Sequence, residues 1–150
     1  MAATEGGSAG ARAVERSVLL LDDEEAILVP TAAYFRALGF RVDTAREFEE
    51  AGALVQSRRY DLVILDLRVS EYGGPEGLAV LREIRERDAG TSVVVLSAYV
   101  SPELEALARA LGADEVLHKP QPLRALLAFA REHEQRARRV APAGAAGGRG

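Results

Sequence analysis

Apolar residues along the chain fall into five short runs, and a segment with helical periodicity follows each run. The third run, from Leu62 to Leu65, holds four consecutive apolar residues between Asp61 and Asp66. An apolar run without alternation is typical of a strand that is covered on both faces, as in the middle of a parallel sheet. The pattern predicts strands over residues 17–21, 40–45, 61–66, 92–97 and 115–118.

Between these strands, apolar residues recur every three or four positions and predict amphipathic helices. The predicted helices cover residues 26–38, 46–59, 78–85, 102–111 and 123–139. The glycine-rich stretch 67–77 is predicted to be a loop that is longer than most strand-to-helix connections. Five alternations of strand and helix predict an α/β fold, with helices on both faces of a parallel sheet.

The composition leaves room for one domain in the 150 residues and narrows the classes of function. Segments 1–15 and 140–150 are rich in alanine and glycine, so we expect a flexible N-terminal tail, a domain over 16–139 and a disordered C-terminal tail. A net charge of -4 gives no electrostatic reason to expect nucleic acid as a partner. The absence of cysteine excludes a disulfide framework and a thiolate metal site, and is compatible with a cytoplasmic location. No apolar run approaches the roughly 18 residues of a membrane span, so no membrane association is expected.

Four of the predicted strands end in residues that can carry chemistry. Asp22 and Asp23 follow the first strand, Asp66 ends the third, Ser97 ends the fourth, and Lys119 follows the fifth. The carboxyl ends of parallel strands open onto one edge, so these side chains should converge there. Clustered carboxylates raise one another's pKa unless a cation is near, and hard oxygen ligands favour Mg²⁺. Lys119 is the only lysine in a chain whose other basic side chains are arginines, and its compact ammonium suits contact with a single oxygen. An aspartate at such a site can form an acyl phosphate.

In order along the chain, the motifs LLLDDEE, VILDL, VVLSAY and VLHKP resemble those of the receiver domain of two-component response regulators. Each motif alone is weak, but all four in order, each at a strand end, are specific. The resemblance covers about residues 16–139 and implies a doubly wound, flavodoxin-like sheet with strand order 2-1-3-4-5.

The resemblance also implies a role for each residue of the group. Asp66 would be the phosphoacceptor; Asp23 and Asp66 would bind Mg²⁺ directly, Asp22 would reach it through water, and the backbone carbonyl of Arg68 would be a further ligand. Ser97 would hydrogen-bond the phosphoryl group and move toward it, and Lys119 would pair with Asp66 and later with a phosphoryl oxygen. The Lys119–Pro120 bond is cis in many such domains.

For partners, the resemblance implies a histidine kinase or phosphotransfer protein as donor and a downstream protein as target. The chain would be a monomer or weak homodimer without direct nucleic acid contact, and would catalyse only its own phosphorylation and dephosphorylation. Two positions depart from the family's pattern. Val116 replaces the aromatic residue that often reports phosphorylation, and Ser70 stands where proline is common.

Simpler interpretations apply to several of these residues taken one at a time. Asp66 alone would be read as a helix-capping acid, and Glu24 and Glu25 as favourable charges in a first helical turn. His118 is expected to point outward, and His133 to be solvated.

Three alternative functions remain open. An enzyme with an aspartyl nucleophile usually has a second acid two residues further on, where this chain has Arg68. A receiver-like binding module that is never phosphorylated is suggested by Val116. The chain is also compatible with the receiver portion of a longer regulator, because its Ala/Gly-rich end resembles a linker.

Arg68 and Tyr99 are large side chains that should face the path of water to a phosphoryl group on Asp66. We therefore predict slow loss of phosphate from Asp66. The decay of the phosphorylated protein would be compared with that of an Arg68→Ala/Tyr99→Ala double variant, which should lose phosphate faster. Equal decay rates in the two proteins would refute the prediction.

Overall fold

The computed structural model describes residues 16–67, 74–88 and 90–132. Five parallel strands form one sheet in the order β2-β1-β3-β4-β5, which confirms the predicted topology. The strands are β1 (Ser17–Leu21), β2 (Arg41–Ala45), β3 (Leu62–Asp66), β4 (Ser92–Ser97) and β5 (Glu115–His118). The predicted boundaries of the two tails lie outside the described residues.

A helix follows each strand, as predicted. The helices are α1 (Glu25–Ala37), α2 (Phe48–Ser57), α3 (Gly74–Arg87), α4 (Pro102–Ala110) and α5, which is helical over residues 123–132. The predicted continuation of α5 to residue 139 lies outside the described residues. Among the described helices, none is both long enough and apolar enough to cross a bilayer.

Successive residues of each strand point to opposite faces of the sheet, so the core forms two layers. Leu19, Val63 and Val95 lie in the layer that α2, α3 and α4 cover. Ile64 and Val94 lie in the layer that α1 and α5 cover. All five residues of β1 and of β3 are buried, which explains why their apolar runs do not alternate with polar residues.

The start of α3 corrects the prediction of a loop over residues 67–77, because the helix begins at Gly74. Glycine and proline in the sequence GGPEG indicated a loop, yet proline is well tolerated in the first turn of a helix. Gly77 has a packing role, since a Cβ there would clash with Leu67 and lie 3.0 Å from Phe48. The helix therefore packs closely against the residue that follows β3.

The capping serine and the glycines that the sequence indicated lie at the ends of α1 and α4. The Ser101 side chain accepts a hydrogen bond from the Leu104 N–H and caps α4. Gly39 and Gly112 follow α1 and α4 with φ of 95° and 119°, a region that favours glycine. These turns set the points at which the chain enters β2 and β5.

Candidate functional site

Backbone hydrogen bonds extend the sheet past the strand ends and fix the first residues of the candidate site. The Asp22 N–H donates to the Ala45 carbonyl at 3.0 Å, and the Lys119 N–H donates to the Ser97 carbonyl at 2.9 Å. Residues 22 and 119 are therefore held like strand residues, although they belong to the loops. Their side chains start from a rigid backbone at the carboxyl edge of the sheet.

Three aspartates meet at this edge, as the sequence predicts. Asp22, Asp23 and Asp66 each offer a carboxylate oxygen, and these oxygens all lie within 4.8 Å of one another. The Asp22 and Asp66 side chains are only 8% and 3% exposed. Asp22 and Asp66 are close because β1 and β3 are neighbours and Leu21 pairs with Leu65, the residues that directly precede the two aspartates. The cluster can hold a metal ion.

The Lys119 ammonium enters the same cluster from the end of β5. Its Nζ lies 3.1 Å from Asp66 Oδ2 and 3.2 Å from Asp22 Oδ2. The contact with Asp66 is a close ion pair, and among the described residues the buried Asp66 Oδ2 has no hydrogen-bond donor besides this ammonium. The Lys119–Pro120 peptide bond is cis.

Glu24 is a member of the site that the sequence interpretation missed. Its Oε1 lies 3.5 Å from Lys119 Nζ, although the sequence indicated only a helical first-turn charge. Glu24 is also the N-cap residue of α1, with an extended backbone that turns the chain from Asp23 into the helix. Its position directly after the aspartate pair was the available signal.

The two oxygens of Asp22 are both engaged within the protein. Oδ1 accepts a hydrogen bond from the Glu24 N–H at 2.9 Å, and Oδ2 accepts one from Lys119 Nζ. The first of these bonds fixes the turn between β1 and α1. Asp22 is thus held in place by its neighbours before any ligand binds.

Burial controls the ionisation of Asp66. Loss of solvent, followed by repulsion from Asp22, raises the pKa of Asp66 to about 6, although Lys119 opposes both effects. For Lys119, burial lowers the pKa, but the Asp66 and Asp22 carboxylates outweigh burial and raise it above its ordinary value. The ammonium therefore stays charged while Asp66 can titrate near neutrality.

Ser97 lies at the end of β4 and is fully buried. Its hydroxyl donates to the Tyr99 carbonyl at 3.0 Å and accepts from the Tyr99 N–H at 3.2 Å. The hydroxyl is therefore engaged by the loop that follows its own strand. Tyr99 itself is 73% exposed.

A cavity of about 240 Å³ opens over the aspartates. Its lining consists of Asp23, Glu24, Asp66, Leu67, Ala98 and Lys119. The predicted site residues Arg68 and Ser70, and also His133, lie outside the described residues. His118 is exposed, as expected, and Val116 is buried in the layer beneath α4.

Comparison with known proteins agrees with this arrangement. The regulatory protein RegA of the photosynthetic apparatus of Rhodobacter capsulatus is 33% identical over 106 residues, which cover 71% of this chain and 56% of RegA. The alginate biosynthesis transcriptional regulatory protein AlgB of Pseudomonas aeruginosa is 36% identical over 120 residues, or 79% of this chain and 26% of AlgB. The chain thus spans about half or less of these relatives.

Among solved structures, a CheY-like receiver domain protein of Methanospirillum hungatei has the same fold. Its TM-score is 0.72 at 24% sequence identity, and the match covers 82% of this chain and 99% of that one. The family model of the response regulator receiver domain matches residues 18–131. The chain therefore belongs to the response regulator receiver domain family.

Proposed function

We propose that this chain is a Mg²⁺-dependent phosphoacceptor switch that receives a phosphoryl group on Asp66. The donor would be a histidine kinase or a phosphotransfer protein. The observation that carries the proposal is the contact of one nearly buried carboxylate, Asp66, with the Lys119 ammonium, beside Asp22 and Asp23 at an open cavity. This arrangement combines a nucleophile, a fixed positive charge and metal ligands.

The nucleophile in the proposed reaction is an ionised Asp66 oxygen. It forms a bond to the phosphorus of the phosphohistidine, the phosphorus–nitrogen bond breaks, and the donor imidazole leaves with that electron pair. The product is an acyl phosphate on Asp66. Because the pKa of Asp66 is about 6 without metal, most molecules already carry the reactive carboxylate at pH 7.5.

Lys119 is placed to bind the phosphoryl oxygens. Its Nζ lies 3.1 Å from Asp66 Oδ2, and an oxygen of a phosphoryl group on Asp66 would lie in the same region. A lysine ammonium has three donors, so it can turn from the carboxylates toward the new group. Lys119 therefore pairs with Asp66 before transfer and with the phosphoryl group afterwards.

The donor set at the cavity fits Mg²⁺. Three carboxylates with ligand oxygens within 4.8 Å of one another supply hard oxygen ligands, and among the described residues the buried Asp66 Oδ2 has no donor besides the Lys119 ammonium. When bound, Mg²⁺ would neutralise charge on the transferring phosphoryl oxygens. Asp23 and Asp66 would be direct ligands, and Asp22 would act through water, since both of its oxygens already accept hydrogen bonds. The Arg68 carbonyl would be the remaining protein ligand.

Ser97 supplies the proposed switch. To bind a phosphoryl oxygen, its hydroxyl must give up the hydrogen bond to the Tyr99 carbonyl. The loop that this bond holds leads directly to Ser101, the cap of α4. Movement of Ser97 would therefore change the surface of α4 and β5. Because Val116 has no ring to reorient, the signal passes through the loop backbone.

Output would occur through protein contacts on that surface. Leu107 on α4 is 47% exposed and Tyr99 is 73% exposed, which suits an apolar protein partner. We propose a cytoplasmic chain that is a monomer or weak homodimer and has no direct contact with nucleic acid. The greater length of RegA and AlgB favours a second candidate, in which this segment is the receiver part of a longer regulator.

Phosphorylation is tested with Mg²⁺ and acetyl phosphate, followed by intact mass measurement. The wild-type chain should gain a single phosphoryl group, and Asp66→Asn should gain none, because the amide is not a nucleophile of this kind. Asp88→Asn is a matched control on the opposite edge of the sheet and should behave like the wild type.

Each other outcome points to another function. Continuous release of phosphate without an adduct would favour an aspartyl phosphatase. Absence of both adduct and turnover would favour a receiver-like binding module. An adduct that persists in Asp66→Asn would exclude Asp66 as the acceptor.

Metal binding distinguishes the proposed ligands from their acidic neighbour. In calorimetric titrations with Mg²⁺, Asp23→Asn should weaken binding by at least about tenfold, or about 1.4 kcal/mol, because a direct ligand is lost. Glu24→Gln should change the affinity by less than about threefold, which corresponds to under about 0.7 kcal/mol. A loss in Glu24→Gln as large as that in Asp23→Asn would make Glu24 a ligand.

Stability without metal should reveal the strain on Asp66. Its pKa is higher in the folded chain, about 6, than the ordinary value of 3.8, so its contribution is fully present below pH 3.8 and is lost as the pH rises through 6. Asp66→Asn should therefore be more stable than the wild type at pH 7.5, by on the order of 3 kcal/mol. The difference should shrink toward pH 4.5. Urea unfolding at both pH values measures it, and a less stable variant at pH 7.5 would contradict the assignment.

A further inference from the structure

We propose that a cleft at the amino edge of the sheet, opposite the aspartates, binds a small molecule with an apolar body and a phosphate or carboxylate group. The cleft lies between the end of α2 and the last turn of α3 and has a volume of about 450 Å³. Pockets that bind small molecules typically measure about 300–1,000 Å³. Its walls are residues 55–60 together with Ile84, Arg87, Asp88 and Thr91, and we call it the arginine cleft.

The floor of the arginine cleft is apolar. Val55, Val63 and Ile84 line it, and all three belong to the buried core layer beneath α2 and α3. Each of the three is at most 5% exposed, so covering them removes only a small apolar surface from water, which at about 25 cal/mol per Å² contributes little. The floor therefore gives an apolar group a surface to lie against, and most of the attraction must come from the basic rim.

Hydrogen bonds hold the walls in place before a ligand binds. The Thr91 hydroxyl donates to the Tyr60 carbonyl at 2.8 Å and joins the entries of β3 and β4. The Tyr60 hydroxyl donates to Asp43 Oδ2 at 2.6 Å. Tyr60 and Thr91 are both buried, so the cleft is a fixed part of the fold and binding needs little reorganisation.

The rim is basic in a chain whose net charge is -4. It holds Arg58, Arg59 and Arg87 against the single acid Asp88. Asp88 Oδ1 accepts a hydrogen bond from Gly90, and Oδ2 lies 4.0 Å from Arg59 Nη1, at the limit of an ion pair. An incoming anion can therefore take over Arg59 at little cost.

A purely structural role accounts for only part of this rim. Arginines near helix C-termini stabilise the helix dipole, and Arg87 Nη2 donates to the Gln56 carbonyl at 2.7 Å. Arg58 pairs with Asp43 through Nη1 at 3.1 Å. Arg59 is different: its side chain is 84% exposed and its contact with Asp88 is long. Each of these contacts engages one nitrogen, whereas a guanidinium offers five N–H donors, so the rim retains capacity for an anion.

Nuclear magnetic resonance titrations of the full ¹⁵N-labelled chain in Mg²⁺-free buffer test the proposal. The probes are benzylphosphonate, phenylacetate and the neutral benzyl alcohol. The two anions should cause saturable shifts of amides around Arg59 and Thr91, and the anion that binds more tightly identifies phosphate or carboxylate as the preferred group. Benzyl alcohol should bind at least about tenfold more weakly.

Charge reversal identifies the part played by the rim. Arg59→Glu should weaken benzylphosphonate binding by at least about tenfold, because attraction becomes repulsion. Arg124→Glu changes the net charge equally at an exposed position on α5 and should alter binding by less than about twofold. Asp66→Asn should also bind normally, so this inference and the proposed phosphorylation can fail separately.

Three results would overturn the inference. Binding of benzyl alcohol as tight as that of the anions would show that the arginines do not select for charge. Shifts confined to residues near Asp22 and Asp66 would place the anion at the other edge of the sheet. Equal effects of Arg59→Glu and Arg124→Glu would reduce the binding to a general response to net charge.

Discussion

The pairing of the Lys119 ammonium with two nearly buried carboxylates sets the charge balance of the candidate site. Asp22 and Asp66 are held at the ends of adjacent strands with little water to screen them, so the Asp22 carboxylate disfavours the ionised form of Asp66. Lys119 lies close to both, yet the pKa of Asp66 remains raised. Burial and like-charge repulsion therefore outweigh one ammonium. The site retains a deficit of positive charge that a divalent cation can supply.

The sheet makes this arrangement possible, because it brings the loops that follow β1 and β5 to the same edge as the end of β3. Strands β1 and β3 are neighbours, and β4 separates β3 from β5. The long Lys119 side chain reaches back past β4 to the aspartates, and the buried strands on either side prevent the backbone from relaxing away. Side chains 97 residues apart in the chain thus meet at 3.2 Å. The packing of the two core layers therefore keeps the charged side chains close together.

The sequence predicted the strands and the residues at their ends well, because β1, β3 and β4 are buried on both faces and leave unbroken apolar runs. It failed at the start of α3, where glycine and proline have helical and packing roles that only the contact with Leu67 reveals. The contact between Glu24 and Lys119 depends on how α1 turns away from β1, which no local pattern specifies. The arginine cleft gave no signal at all, since arginine is the ordinary basic residue of this chain and the walls come from distant segments.

The cavity over the aspartates is lined mainly by acids and the arginine cleft mainly by basic residues, and under the proposed function this difference bears on which phosphodonors the site can use. A small anionic donor is repelled by Asp23 and Glu24 at the cavity. Arg59 and Arg87 attract anions to the amino edge of the sheet, away from Asp66. A protein donor can offset that repulsion with contacts elsewhere. Val29 on α1 is 61% exposed, and only the N-cap residue Glu24 separates the aspartate pair from the start of this helix. If Asp66 accepts a phosphoryl group as proposed, apolar contact beside the cavity would hold a phosphohistidine near it for longer than diffusion allows, and the charge pattern would favour transfer from a docked protein over transfer from a free metabolite.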